Sequence, residues 1–176
     1  MTRSSISLIP YDPEWPRRFE AERVLLEGVL EPWLDGGIHH VGSTAVPGIA
    51  AKPIVDLVAG VRDLDESWAA HDVLRERSYI HAPHRPGIAH HFNNPSLELA
   101  EMRFSLHLTE PESDLWRERI AFRDALRGDA TLAGEYETLK RLLAARHGDD
   151  TAAYTAGKRE FVARVLQQAG LELGRR

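Results

Sequence analysis

A glycine-serine turn followed by a strand-borne acid is the feature of this chain best suited to chemistry. Val41-Gly42-Ser43 follows an expected strand, 12 residues separate Ser43 from Asp56, and Asp56 interrupts the hydrophobic run Pro53-Ile54-Val55-Asp56-Leu57-Val58. Gly42 lets the backbone approach a phosphate closely, while Ser43, Thr44 and amides at the start of a short helix can donate to its oxygens. An acid on the neighbouring strand can hold a divalent cation, Mg2+ or Mn2+, that neutralises phosphates and positions an in-line attack. Asp56 is therefore the candidate metal ligand and the first candidate catalytic residue. Lys52, just before the strand, is a candidate phosphate contact. The plain alternative is a turn without a ligand and a strand acid paired with Lys52, since short glycine motifs often arise without function.

Histidines supply the secondary candidates. Arg103, Ser105, His107 and Thr109 alternate with Phe104, Leu106 and Leu108, so His107 belongs to a polar strand face. A neutral imidazole there could bind a metal or take a proton from an attacking hydroxyl, and Arg103 could meet phosphate charge. A solvent-facing strand side explains the same pattern. In His39-His40 the two rings point to opposite faces, and His40 suits a structural hydrogen bond at a strand end better than catalysis. His90-His91 comes with no metal-ligand spacing and reads as part of a solvated hairpin.

These residues need elements to position them. Residues 6–9 read as a short edge strand, and Trp15, Phe19, Leu26 and Leu30 recur at helical spacing over 14–30. Strands are expected at 38–41 and 53–61, with a brief helix near 46–51 between them. A helix over 65–77 comes next, then turns or a hairpin over 81–95, where Pro83, Pro86, Gly87, Asn93-Asn94 and Pro95 cluster. A half-buried strand over 102–109 leads into helices near 112–127, 131–147 and 150–169. All four tryptophans, Trp15, Trp33, Trp68 and Trp116, read as packing residues. The order predicts an α/β (α+β) single domain over 1–176, with a mixed-sheet core over 1–111 and a helical part over 112–176 that caps it.

Composition sets the outer limits. Hydrophobic residues make up 43% and charged residues 28% of 176, an ordinary globular balance. The net charge is −5; residues 112–176 carry 12 Lys/Arg against 11 Asp/Glu, which leaves no large basic field for nucleic acid. The absence of cysteine excludes disulfides, thiolate zinc sites and a cysteine nucleophile. With no run of about 20 apolar residues and no leader-like apolar stretch, no membrane association is expected and the cytoplasm is the expected compartment.

The chain also resembles the GrpB family. The matching residues are Ile9-Pro10-Tyr11-Asp12-Pro13-Glu14-Trp15-Pro16 and His40-Val41-Gly42-Ser43-Thr44-Ala45-Val46-Pro47-Gly48-Ile49-Ala50-Ala51-Lys52-Pro53-Ile54-Val55-Asp56-Leu57. Phe122-Arg123-Asp124-Ala125-Leu126-Arg127 comes next in order, with Glu135-Tyr136 through Leu139-Lys140 and Tyr154 through Lys158 after it. The resemblance implies a nucleotidyltransferase-type fold: a mixed sheet with flanking helices and a C-terminal helical cap. It also implies a strand with carboxylates at alternate positions, because two-cation phosphoryl transfer uses acids on one strand face. Asp56 fits the first position and Val58 occupies the second, so a missing ligand could come from Glu101, Glu110 or His107 elsewhere in the fold. Three functions stay open. One is nucleotidyl transfer to a small acceptor, with nucleotide phosphates on Gly42, Ser43, Thr44, Lys52 and Arg103, metal on Asp56 and help from His107. The second is nucleotide or metabolite binding without catalysis. The third is an accessory role, suggested by GrpB-like domains fused to dephospho-CoA kinase.

Overall fold

The computed structural model describes residues 6–171 except positions 84 and 86, so Pro86, one of the turn signals, lies outside the described residues. Five strands form one sheet: β1 (Leu34–Val41), β2 (Val55–Val61), β3 (Ile80–His81), β4 (His90–Asn94) and β5 (Phe104–Thr109). Their spatial order is β1-β2-β5-β4-β3, with β2 and β5 parallel and the other neighbours antiparallel. The register Val41↔Asp56↔Ser105 and His39↔Val58↔His107 fixes which side chains share a face.

One face carries Ile38, Val55, Leu57, Ala59, Val61, Phe92, Leu106 and Leu108. It packs under α1 (Glu14–Leu30), which contributes Trp15, Leu26 and Leu30, and α2 (Ala70–Glu76), which contributes Leu74. The other face carries Val41, Asp56, Val58, Ser105 and His107. Here α3 (Asp114–Gly128) lays Trp116 and Ile120 on Val41 and Val58. Helices α4 (Ala130–His147), α5 (Thr151–Ala156) and α6 (Arg159–Gln168) complete the C-terminal cap. Its first two breaks coincide with the predicted turn residues. Asp129 caps α4 by accepting from Thr131 N at 2.8 Å and Leu132 N at 3.0 Å, and Asp150 caps α5 by accepting from Ala153 N at 2.9 Å.

Several expectations are corrected. Residues 6–9 form no strand. Ile9 makes an isolated antiparallel bridge to Ala51, and Pro10 lacks the N–H needed to extend it. The brief helix lies at Ser43–Ala45, a single 3-10 turn, because Pro47 and a left-handed Gly48 (φ +84°) keep the helix from continuing. Residues 65–77 divide into a 3-10 turn, Glu66–Ala69, and α2; the change of helical phase leaves Trp68 47% exposed, whereas Trp15 is fully buried. The last helix is broken at Gly157 and Lys158, where Gly157 packs against Leu143 so closely that a Cβ would lie 2.5 Å from a Leu143 methyl. No described helix is long and apolar enough to cross a membrane.

Candidate anion-binding site

Gly42 follows β1 at a positive φ (+71°) that brings its backbone directly onto the carboxyl of Asp56. A Cβ at position 42 would stand 2.3 Å from Asp56 Oδ2, so only glycine permits this approach. Asp56 is flanked in the sheet by Val41 and Ser105. The Ser105 hydroxyl donates to its carboxylate, and a ring nitrogen of His91 lies 3.0 Å from Ser105 Oγ. Because Ser105 has one proton to give, His91 Nε2 is the donor in that second bond when Asp56 is ionised. Burial holds the Asp56 carboxyl above the usual carboxylate range, opposed by the nearby charges of Arg119, Lys52 and Lys158 and by the Ser105 bond.

The remaining charge around Asp56 is positive and comes largely from the helical cap. Lys52 Nζ and Lys158 Nζ lie 5.8 Å and 4.5 Å from the centre of the Tyr154 ring, and Lys140 Nζ lies 5.0 Å from that of Tyr136. Lys140 is 2% exposed and donates to the carbonyl of Ala50. Burial, reinforced by repulsion from Lys158, pushes its amine down to about 7. Burial and repulsion from Lys52 push Lys158 down to about 8, and burial lowers Lys52. The buried Nε of Arg119 has no hydrogen-bond partner among the described residues. The hydroxyls of Ser43 and Tyr136 share a hydrogen bond, and burial pushes Tyr136 up to about 12.

The cap also grips the loop that carries Gly42 and Ser43. Arg123 donates to His40 O at 3.0 Å, Arg127 donates to Ala45 O at 2.7 Å, and Ala50 N donates to Glu137 Oε2 at 2.9 Å. Each contact satisfies a loop backbone group with a charged side chain, which is among the stronger kinds of protein hydrogen bond.

A family model described as GrpB protein matches residues 5–168 of this chain. The chain belongs to the GrpB family. The glutamate-rich protein GrpB of Alkalihalophilus pseudofirmus is 33% identical over 171 residues, covering 96% of this chain and 98% of that protein. The crystal structure of GrpB from Enterococcus faecalis superposes with a TM-score of 0.82 at 24% identity, over 94% of this chain and 100% of that one. A structure of the GLD-2/RNP-8 complex aligns at TM-score 0.53 and 13% identity, over 90% of this chain and 61% of that chain, a likeness of fold alone. The architecture is a five-stranded mixed sheet with flanking helices and a C-terminal helical cap, a fold this chain shares with both structures.

Within this GrpB fold, Gly42, Ser43, Lys52 and Asp56 come together as the sequence suggested. Thr44 is drawn away from them. It is 1% exposed, and its hydroxyl donates to Ile54 O at 3.2 Å while accepting from His40 Nε2 at 3.0 Å. His40 is structural, stacked on Phe19 at 4.8 Å, and burial with repulsion from Arg127 and Arg123 pushes its imidazole down to about 4. His107 shares the face of Asp56 but pairs across from Val58, and its ring stacks on His91 at 4.2 Å. The polar side of β5 is covered rather than solvated: Ser105, His107 and Thr109 are 7%, 5% and 0% exposed, because this face lies on the side that α3 covers. Arg103 is exposed just before β5.

The donor set does not fit a two-cation centre. Val58 is completely buried against Val41 and Trp116, and among the described residues no group of three or more His, Cys, Asp or Glu could hold a metal ion. Glu110 accepts from Leu64 N at 3.1 Å beyond the far end of β5, and Glu101 is exposed in a turn, so neither supplies the missing carboxylate. Sequence reasoning missed Arg119, Tyr136, Lys140, Lys158 and the role of Ser105. One signal was available: of 22 Lys and Arg residues only three are lysines, Lys52, Lys140 and Lys158, and all three converge here. Lysine offers a compact ammonium that can lose its proton, which arginine cannot do in a protein.

Proposed function

We propose that this GrpB protein binds a nucleotide through its phosphate groups at the Asp56 site. The observation that carries the reading is the convergence of Lys52, Lys158 and Arg119 on one half-buried carboxylate beside the Gly42–Ser43 turn. Ammonium and guanidinium groups complement phosphate oxygens, and burial strengthens that attraction. The Ser43 hydroxyl and the Gly42 backbone supply close, uncharged contacts. Arg123, Arg127 and Lys140 hold the loop that presents them.

Nucleotidyl transfer to a small acceptor is the second reading, favoured by the fold and by Asp56 at the first acidic position. Val58 removes the partner acid on which two-cation transfer depends, so binding is the reading the geometry supports best. A thermal-shift panel of ATP, GTP, CTP, UTP and pyrophosphate, each with and without Mg2+, tests it. A nucleotide at about 100 times its dissociation constant stabilises the fold by about 2.7 kcal/mol, or roughly 5–10 °C for a chain of this size. No shift with any nucleotide rejects the binding reading. Pyrophosphate release in the presence of an acceptor mixture establishes transfer instead.

A further inference from the structure

Three cations act on one carboxylate at this site. Lys52 and Lys158 are set over the same Tyr154 ring, each repelling the other, and Asp56 attracts both. Arg119 adds a third charge and keeps a buried Nε without a hydrogen-bond partner among the described residues. Lys140 stands behind them, repelled by Lys52 and Lys158. Buried like charges destabilise a fold unless a counter-ion offsets them. A two-cation phosphate site has the opposite composition, with an excess of carboxylates whose charge the metal offsets. Here the excess is already positive, and the second acidic position is a fully buried valine.

We propose that the Asp56 site takes the phosphate chain of its ligand without a divalent cation, Lys52, Lys158 and Arg119 supplying the positive charge that metal ions would bring. This rests on the nucleotide-binding reading above and specifies its chemistry: the ligand is a di- or triphosphate group in its metal-free form. Asp56 is then the counter-charge to these cations in the ligand-free protein, and the incoming phosphate takes over that role. A magnesium-bound triphosphate carries less negative charge and suits this cluster of cations less well.

Isothermal titration calorimetry with ATP and with inorganic pyrophosphate, each in EDTA and in excess Mg2+, tests the proposal. Binding in EDTA as tight as or tighter than in Mg2+ is expected. Comparison of the two ligands shows whether the nucleoside adds to the phosphate chain. Lys158→Met is expected to weaken binding at least tenfold in EDTA and to raise the melting temperature of the empty protein, because it removes a charge that Lys52 and Arg119 repel. Asp56→Asn is expected to tighten metal-free binding several-fold, since it removes the one negative charge facing the phosphates. Binding that requires Mg2+ and is lost in Asp56→Asn overturns this inference and leaves the nucleotide-binding reading standing. Absence of binding under every condition, with circular dichroism showing a folded protein, overturns both.

Discussion

His40 offers a direct test of how the Gly42–Ser43 loop is held. Its ring is 6% exposed, stacked on Phe19 and hydrogen-bonded to Thr44, and Arg123 and Arg127 approach from the helical cap. A proton on this imidazole would be buried beside two guanidinium groups. The folded chain therefore takes up that proton only near pH 4, whereas an ordinary histidine does so near 6.5. Between these values the unfolded chain binds more protons than the folded one, so stability falls as the pH drops from 6.5 to 4 and is unaffected by this group above 6.5. At 1.36 kcal/mol per pH unit the ceiling on the loss is about 3 kcal/mol. His40→Gln keeps a donor to Thr44 Oγ1 and does not titrate. Urea unfolding of both proteins at intervals from pH 7.5 to 4 isolates the contribution, because Asp56 and the surface carboxylates titrate alike in both. Wild type is expected to lose about 3 kcal/mol more than the variant over that span. Parallel stability curves would refute a neutral, buried His40.

Three further outcomes are expected from the packing. Gly42→Ala should cost on the order of 2–4 kcal/mol, since the new Cβ meets Asp56 at 2.3 Å at a positive φ; a loss below about 0.5 kcal/mol in denaturant unfolding would contradict that close approach. Trp15→Ala should cost about 3–5 kcal/mol and Trp68→Ala about 1 kcal/mol or less, because the first is fully buried and the second 47% exposed; equal losses would contradict these environments. Lys140 loses its proton near 7 in the folded chain and near 10.5 when unfolded, so wild type should gain roughly 2–3 kcal/mol relative to Lys140→Met between pH 7 and 9.5. A gap between the two proteins that stays constant over this range would show that Lys140 is not held neutral.

The elements most legible in the sequence were those whose local signal agreed with their packing. The apolar run over β2 is buried on both faces, so it read as a strand, and the acid within it stood out. Gly128-Asp129 and Gly148-Asp149-Asp150 marked helix ends because aspartate side chains cap the helices that come after them. The alternation in β5 gave the strand but misled about its surroundings. Period 2 shows that two faces differ in polarity, and it cannot show that a helix from later in the chain covers the polar one. Trp68 failed for a related reason: the periodicity assumed one helix, and a 3-10 turn changed the angle at which the ring leaves the backbone. Gly42, Ser43 and Asp56 were accessible because they belong to one hairpin-like unit, the turn after β1 and the adjoining strand β2. Arg119, Tyr136, Lys140 and Lys158 were not, because their approach depends on how four helices dock.

Val58 links these two halves of the site. At the sequence level it looks like a lost metal ligand, an omission to be made good from elsewhere. In the structure it is fully buried with Val41 against Trp116 and Ile120, the contact by which α3 lies on the sheet. That same helix carries Arg119, between Trp116 and Ile120 in sequence, to the neighbourhood of Asp56. A carboxylate at position 58 would place an unpaired charge in this apolar contact, at a cost of several kcal/mol. The helix would then lose the seat from which Arg119 acts. The valine and the arginine are thus complementary parts of one helix–sheet contact: the apolar residue at position 58 seats the helix that brings the Arg119 charge to Asp56.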